Sequence, residues 1–103
     1  MEKIIVYWRD IPSQVIVKQG RKKGKVLLNP RFQNAIDRAA MRARKQDSDA
    51  YMKEWKRIKS VMANAQDPQQ AADLEAKQIE AAYSDERLVE LIRRHGVAQD
   101  PAG

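Results

Sequence analysis

The chain has 103 residues and a formal net charge of +6 at pH 7, which is the length of a single domain. Its mean hydropathy of −0.73 and its lack of a long apolar run argue against a membrane protein. Because it has no cysteine and a single histidine, disulfide scaffolds and thiolate or histidine-rich metal sites are excluded. The first residues lack the basic start and long apolar core of a secretory signal, so we expect a cytoplasmic protein.

The charge is unevenly distributed along the chain. Residues 1–59 carry a net charge of +10, and residues 60–103 carry a net charge of −4. This asymmetry favours an acidic partner for the first half, either nucleic acid, a phosphorylated ligand or an acidic protein. In the alternative interpretation, the acidic second half folds back against the basic first half and neutralises part of its field.

Three short strands are predicted in the first part of the chain. Residues 3–9 and 14–18 are rich in β-branched and aromatic side chains, as strands usually are. A break around Asp10 to Ser13, which contains a proline, separates them. A third strand is expected over residues 25–28, after a turn framed by Gly20 and Gly24. Because connections this short join antiparallel strands, we predict a three-stranded antiparallel sheet.

Helical patterns follow. Asn29 before Pro30, and Asp67 before Pro68, are typical of helix starts, and apolar residues then recur at spacings of three and four. Helices are expected over residues 30–45, 50–57, 68–83 and 85–95. The second helix could continue over residues 58–65, or residues 58–62 could instead form a short strand.

These elements predict an α+β fold, with a three-stranded antiparallel N-terminal sheet packed by three to four helices. We expect a single domain over residues 1–96 and a flexible C-terminal tail over residues 97–103. Trp8 and Trp55 are expected in the core, with Tyr83 closing it from the third helix, since aromatic burial is a main source of stability in a small domain.

Two groups of basic residues are the candidate binding residues. Their members are Lys18, Arg21, Lys22, Lys23 and Lys25 at the predicted hairpin, and Arg38 and Arg42 on the first predicted helix. Basic side chains at a hairpin tip can contact phosphates, and the helix would extend this surface if it packed beside the hairpin. The alternative interpretation is a solvated turn that protects a sheet edge, with an ordinary polar helix face.

Signals for catalysis are weak. His95 lies next to Gly96 at the end of a predicted helix, where it interacts favourably with the helix dipole. The chain has no glycine-rich phosphate loop, nucleophile elbow or metal-ligand spacing. We therefore expect no enzymatic activity, no cofactor and no metal site.

Three segments resemble a small bacterial family labelled "virulence factor". They contain YWRDIP at residues 7–12, AIDRAAM at residues 35–41 and DAYMKEW at residues 49–55, and the resemblance runs from about Lys3 to Leu91. The family label carries no established catalytic residues. The resemblance implies an association with one-carbon and corrinoid-dependent methyl-transfer enzymes. It also implies a short, acidic, strand-like piece after Trp55, where this chain is basic and compatible with a helix.

These observations favour a non-enzymatic interaction module or accessory subunit of a cytoplasmic bacterial complex, with a protein partner and no membrane contact. The alternative hypothesis is a nucleic-acid-binding protein that uses the hairpin over residues 18–25 and the basic face of the first helix.

Overall fold

An antiparallel sheet and four helices make up the part of the chain that the computed structural model describes, residues 1–45, 47–63 and 67–98. The strands are β1 (Glu2–Trp8), β2 (Ile11–Gln19), β3 (Lys22–Leu27) and β4 (Trp55–Val61). The helices are α1 (Pro30–Arg42), α2 (Ser48–Lys53), α3 (Pro68–Ala82) and α4 (Asp85–Arg93). The predicted α+β class is therefore confirmed.

The sheet has the strand order β3-β2-β1-β4, and every neighbouring pair is antiparallel. The first three strands form the predicted meander with two tight connections. Trp8 pairs with Ile11 across a turn at residues 9–10, and Gln19 pairs with Lys22 across a turn at residues 20–21. Gly20 has a φ of +59°, a conformation that suits the primed turns of two-residue hairpins.

The prediction of three strands was one strand short. Trp55–Val61 pairs with β1 along its whole length, from Trp8↔Trp55 to Glu2↔Val61, so α2 ends at Lys53 and not at residue 57. Long-range pairing outweighs the helical spacing of this segment, because β1 would otherwise leave an apolar edge unpaired. For residues 58–61 the strand alternative is thus correct, while residues 64–66 lie outside the described part.

The main core lies between the sheet and the helices. Its sheet residues are Trp8, Ile11, Val15 and Val17, and its helical residues include Phe32, Ile36, Ala39, Ala40, Ala72, Ala76, Leu88 and Leu91. The small side chains of the alanines on α1 and α3 let each of these helices pack closely against the sheet. Asp67 and Ser84 cap α3 and α4 with their side chains. Asn29 occupies the predicted cap position of α1 without a side-chain cap bond, and its backbone N–H donates to Glu80 (2.7 Å).

The two tryptophans differ in burial. Trp8 is fully buried, its Nε1–H donates to the carbonyl of Tyr51 (2.9 Å), and its ring stacks on Tyr51 at 5.9 Å between centroids. Trp55 is half-buried at the start of β4 and packs edge-on against Tyr51. Tyr83, also half-buried, packs edge-on against Phe32, as expected for a residue that closes the core. Trp8 is therefore the central aromatic residue.

Gly24 has a different role from Gly20. It lies within β3, beneath the start of α3, and a Cβ at this position would be 2.5 Å from the carbonyl oxygen of Pro68 and 2.5 Å from the Cα of Gln69. Because both contacts are backbone atoms, they cannot move aside without moving the helix. The glycine therefore sets how closely α3 packs on the sheet.

We predict that Gly24→Ala destabilises the domain by about 1–3 kcal/mol, the usual cost of an added methyl group in a packed site. The matched control is Gly20→Asn, since Gly20 has open space around its Cβ position and asparagine tolerates positive φ. This control should cost less than about 1 kcal/mol. Urea melts of both variants measure the difference, and equal midpoints for Gly24→Ala and the wild type would show that α3 does not depend on this contact.

Candidate functional site

The two faces of the sheet are built differently. Against one face packs α3, and Lys3 there forms an ion pair with Glu75 of that helix (2.8 Å). The opposite face carries a second buried cluster of Ile4, Val6 and Ile16, against which Trp55 packs. We call this second side, defined by Ile4, Val6 and Ile16, the open face.

Cross-strand register places basic residues around the apolar centre of the open face. One row runs Lys25, Ile16, Ile4 and Lys59 across the four strands, and paired residues point to the same side of a sheet. The row on one side of it is Lys23, Lys18, Glu2 and Val61. The row on the other side is Leu27, Gln14, Val6 and Arg57. The basic residues of the open face are therefore Lys18, Lys23, Lys25, Arg57 and Lys59.

All five basic residues of the open face are exposed. Within residues 1–45, 47–63 and 67–98, none of them forms an ion pair. Glu2 is the acidic residue in the same rows. The open face therefore carries a concentrated positive charge that its own neighbours leave largely unneutralised, and such a field attracts acidic molecules.

A depression of about 460 Å³ lies at one end of the open face, next to α2. Its lining includes Val6, Gln14, Met52, Trp55 and Arg57. Met52 is 63% exposed, and the buried Oε1 of Gln14 has no hydrogen-bond partner in the described part of the chain. The depression thus combines apolar walls with a polar acceptor and a cation.

The structure brings together only some of the candidate residues predicted from the sequence. Lys18, Lys23 and Lys25 share the open face, whereas Arg21 lies in the turn. Lys22 pairs with Gln19, so it points to the other side of the hairpin.

The basic residues of α1 form a separate surface. Arg38 lines a groove of about 190 Å³ between α1 and α4, together with Leu88 and Ile92. Arg42 follows one helical turn later and is also exposed. Since α1 contacts α4 and β2 within the main core, this helix does not extend the open face.

Sequence reasoning missed Arg57 and Lys59. Arg57 was predicted as the last residue of the second helix, and Lys59 falls in the segment for which a helix or a strand remained open. Only the strand places them on the same face of the sheet as Lys25. The available signal was the alternation of Arg57, Lys59 and Val61 at every second position, which puts these three side chains on one side of a strand.

The turn between β1 and β2 uses its polar groups inside the fold. Arg9 has a φ of +53°, its N–H donates to the carbonyl of Glu54 (3.0 Å), and its guanidinium bonds the Glu54 carboxylate (3.3 Å) and the carbonyl of His95 (2.8 Å). The Asp10 N–H donates to the carbonyl of Gly96 (2.8 Å). We call residues 9 and 10 the Arg9–Asp10 turn.

The Asp10 carboxylate also reaches two other elements. It accepts bonds from Lys56 Nζ (3.0 Å) at the start of β4 and from the backbone N–H of Ala98 (2.7 Å). Ala98 belongs to the tail predicted over residues 97–103. Residues 99–103 lie outside the described part, and the flexibility of the tail stays a prediction.

These contacts lower the pKa values of both carboxyl groups at the turn. The hydrogen bond from Arg9 lowers the pKa of Glu54; burial opposes this effect, and Lys45 adds to it. For Asp10, burial would raise the pKa, but the bonds from Ala98 and Lys56 outweigh it, so the pKa is lowered. Both groups therefore hold their negative charge more firmly in the folded chain than in the unfolded chain.

We predict that acid unfolds the domain partly through this turn. A lowered folded-state pKa means that the unfolded chain binds more protons in acid, so the stabilisation from Glu54 and Asp10 is present above about pH 5 and is lost progressively below about pH 4. Glu54→Gln should reduce stability at pH 7 and make it fall less steeply between about pH 5 and pH 3.

The matched control for the acid experiment is Glu86→Gln, because Glu86 is exposed and forms no ion pair with any described residue. Urea melts at several pH values give the slopes. A slope in Glu54→Gln that equals the wild-type slope would mean that the turn does not contribute to the acid sensitivity.

Across the described residues, no group of three histidine, aspartate or glutamate side chains is placed to hold a metal ion. Nor does any helix there have both the length and the apolar character needed to cross a membrane.

The sequence model of a family described as "Virulence factor" matches residues 6–92. The chain belongs to this family. The resemblance noted in the sequence is thereby confirmed. In this virulence factor family member, the YWRDIP segment comprises the end of β1 with Trp8, the Arg9–Asp10 turn and the start of β2. Comparisons with curated proteins and with solved structures find no match.

Proposed function

We propose that the chain is a non-enzymatic interaction module that binds an acidic surface of a partner protein through its open face. One observation carries the proposal: five exposed cations without ion pairs among the described residues surround a buried apolar centre on a single face of the sheet. Such a surface attracts an acidic partner over a distance and accelerates its association.

The acidic second half of the chain does neutralise part of the first half, but elsewhere. Glu75 pairs with Lys3 (2.8 Å), and Asp85 pairs with Arg31 (3.3 Å). These pairs lie among the helices and on the face of the sheet that α3 covers. They support an external partner for the open face, because the cations there are left without an internal counter-charge.

The chemistry of the open face favours a protein over a nucleic acid. Leu27 and Val61 on this face are 70% and 91% exposed, and the depression beside Met52 can receive an apolar side chain. Protein interfaces typically surround such apolar anchors with polar residues. Proteins that bind single-stranded nucleic acid on a sheet usually stack bases on aromatic side chains. On the open face the aromatic residue is Trp55, which is half-buried at one end.

Nucleic acid is the second candidate, and the clustering of Lys18, Lys23 and Lys25 near the hairpin favours it. The helical residues Arg38 and Arg42 would not take part in the same contact, because they belong to the groove between α1 and α4. A role beside one-carbon and corrinoid-dependent methyl-transfer enzymes, and a cytoplasmic location, remain predictions for the partner experiment.

We predict that charge reversal on the open face weakens partner binding. Lys25→Glu/Lys59→Glu places an acidic group at each end of the row that crosses the apolar centre of the face. The control Arg38→Glu/Arg42→Glu makes the same charge change at two exposed positions of α1. The partner is first recovered from the native host with the wild-type chain. Its affinity should fall more than about tenfold for the face variant, because like charges across an interface are repulsive, and should stay near wild type for the control.

The same proteins are then titrated with poly-uridine RNA and with duplex DNA at several salt concentrations. Contacts with phosphates lower the affinity for duplex DNA with a log–log slope of about −0.9 per phosphate neutralised. Equal capture of the partner by both variants would contradict the proposal. Submicromolar, salt-dependent binding of nucleic acid that the face variant loses would replace it with the second candidate.

A further inference from the structure

The two edges of the sheet are protected differently. At the β3 edge, the side-chain amide of Gln69 pairs with the backbone of Lys25: the Lys25 N–H donates to Oε1 (3.1 Å), and Nε2 donates to the Lys25 carbonyl (3.2 Å). Gln69 thus occupies the place of a neighbouring strand. The β4 edge has no such cover among the described residues.

The hydrogen-bond pattern shows which backbone groups of β4 are unpaired. The backbones of Met62 and Met1 exchange two hydrogen bonds (2.9 Å each), and at the other end the Arg9 N–H donates to the Glu54 carbonyl. In an antiparallel ladder the bonded residues alternate, so the residues between these ends that face β1 are Lys56, Ile58 and Ser60. The N–H and C=O groups that point away from the sheet are those of Trp55, Arg57, Lys59 and Val61.

We propose that an extended acidic segment of the partner protein pairs with β4 as a fifth strand. This inference rests on the proposed function, since the occupant is a segment of the same acidic partner. Strand addition to an exposed sheet edge is a general mode of peptide recognition in which backbone bonds supply affinity and alternate side chains supply specificity. The four outward-facing residues, at every second position from Trp55 to Val61, span a strand of ordinary length for such pairing.

Charge decides the occupant. Arg57 and Lys59 project onto the open face and Lys56 onto the other side, so glutamates on an added strand would lie directly opposite cations. A second copy of β4 in the antiparallel orientation would instead place lysines and arginines against each other. Ile58 and Val61, 49% and 91% exposed, provide apolar positions for the added strand.

Lysines on an edge strand also serve as protection against aggregation. They repel apolar and like-charged strands, but they do not repel an acidic strand. The protective interpretation predicts no strand pairing with any peptide, and this prediction separates the two interpretations.

The test uses the full chain and a short peptide of alternating glutamate and valine with both ends blocked. When the peptide pairs antiparallel to β4, glutamates opposite Arg57 and Lys59 direct their own N–H groups towards β4, and the valine N–H groups point away. Methylation of the glutamate nitrogens therefore blocks pairing, whereas methylation of the valine nitrogens leaves it intact at the same charge. Affinities are measured by titration at low salt, together with amide hydrogen exchange of the chain.

We expect the unmodified and valine-methylated peptides to bind, and the glutamate-methylated peptide to bind at least about tenfold more weakly. In the bound state the amides of Arg57, Lys59 and Val61 should exchange at least about tenfold more slowly. The amides of Lys56 and Ile58, already bonded to β1, should change little.

Three outcomes would overturn the inference. Equal binding of all three peptides without amide protection would show a purely electrostatic contact, and the proposed function would then stand without strand addition. Failure of every peptide to bind at low salt would favour the protective interpretation. Self-association of the chain that protects the same amides without peptide would assign the edge to a second copy.

Discussion

The rest of the structure depends on the Arg9–Asp10 turn and on the buried Trp8 beside it. A two-residue connection forces Arg9 to a φ of +53°, a conformation that non-glycine residues adopt at a cost. The turn persists because its N–H groups, its guanidinium and its carboxylate bond α2, β4 and the end of α4 at once. Without these bonds, α2, β4 and the end of α4, all of them distant in the sequence from the turn, would lose a common anchor.

One of the three segments that resemble the family, YWRDIP at residues 7–12, contains this turn. The YWRDIP residues are engaged in the fold: Trp8 in the core, Arg9 on Glu54, and Asp10 on Lys56. Their polar groups are occupied by internal partners, so they make a poor binding surface. The unoccupied charge lies on the open face, several residues along the same strands, where the fold leaves cations without counter-charges. The residues that stabilise the fold and the residues proposed to bind the partner are thus different residues of one sheet.

Local signals in the sequence predicted most elements but not how they are arranged. The meander and the helix starts at Pro30 and Pro68 follow from turn residues and caps, which act within a few positions. The first residues of β4 were predicted as helix and the rest was left open between helix and strand, because the strand state comes from pairing with β1, roughly fifty residues away. Similarly, only the tertiary arrangement shows that Gly24 lies under α3, or that Arg38 belongs to a surface distinct from that of Lys25.

Native-state hydrogen exchange of the Arg9–Asp10 turn shows whether the fold depends on it. The amides of Arg9 and Asp10 donate to the carbonyls of Glu54 and Gly96, and groups that open only by global unfolding exchange with the full free energy of unfolding. We expect both amides to exchange with the same free energy as the most protected core amides, although they lie in a turn. Exchange through local opening, several kcal/mol below the global value, would contradict it.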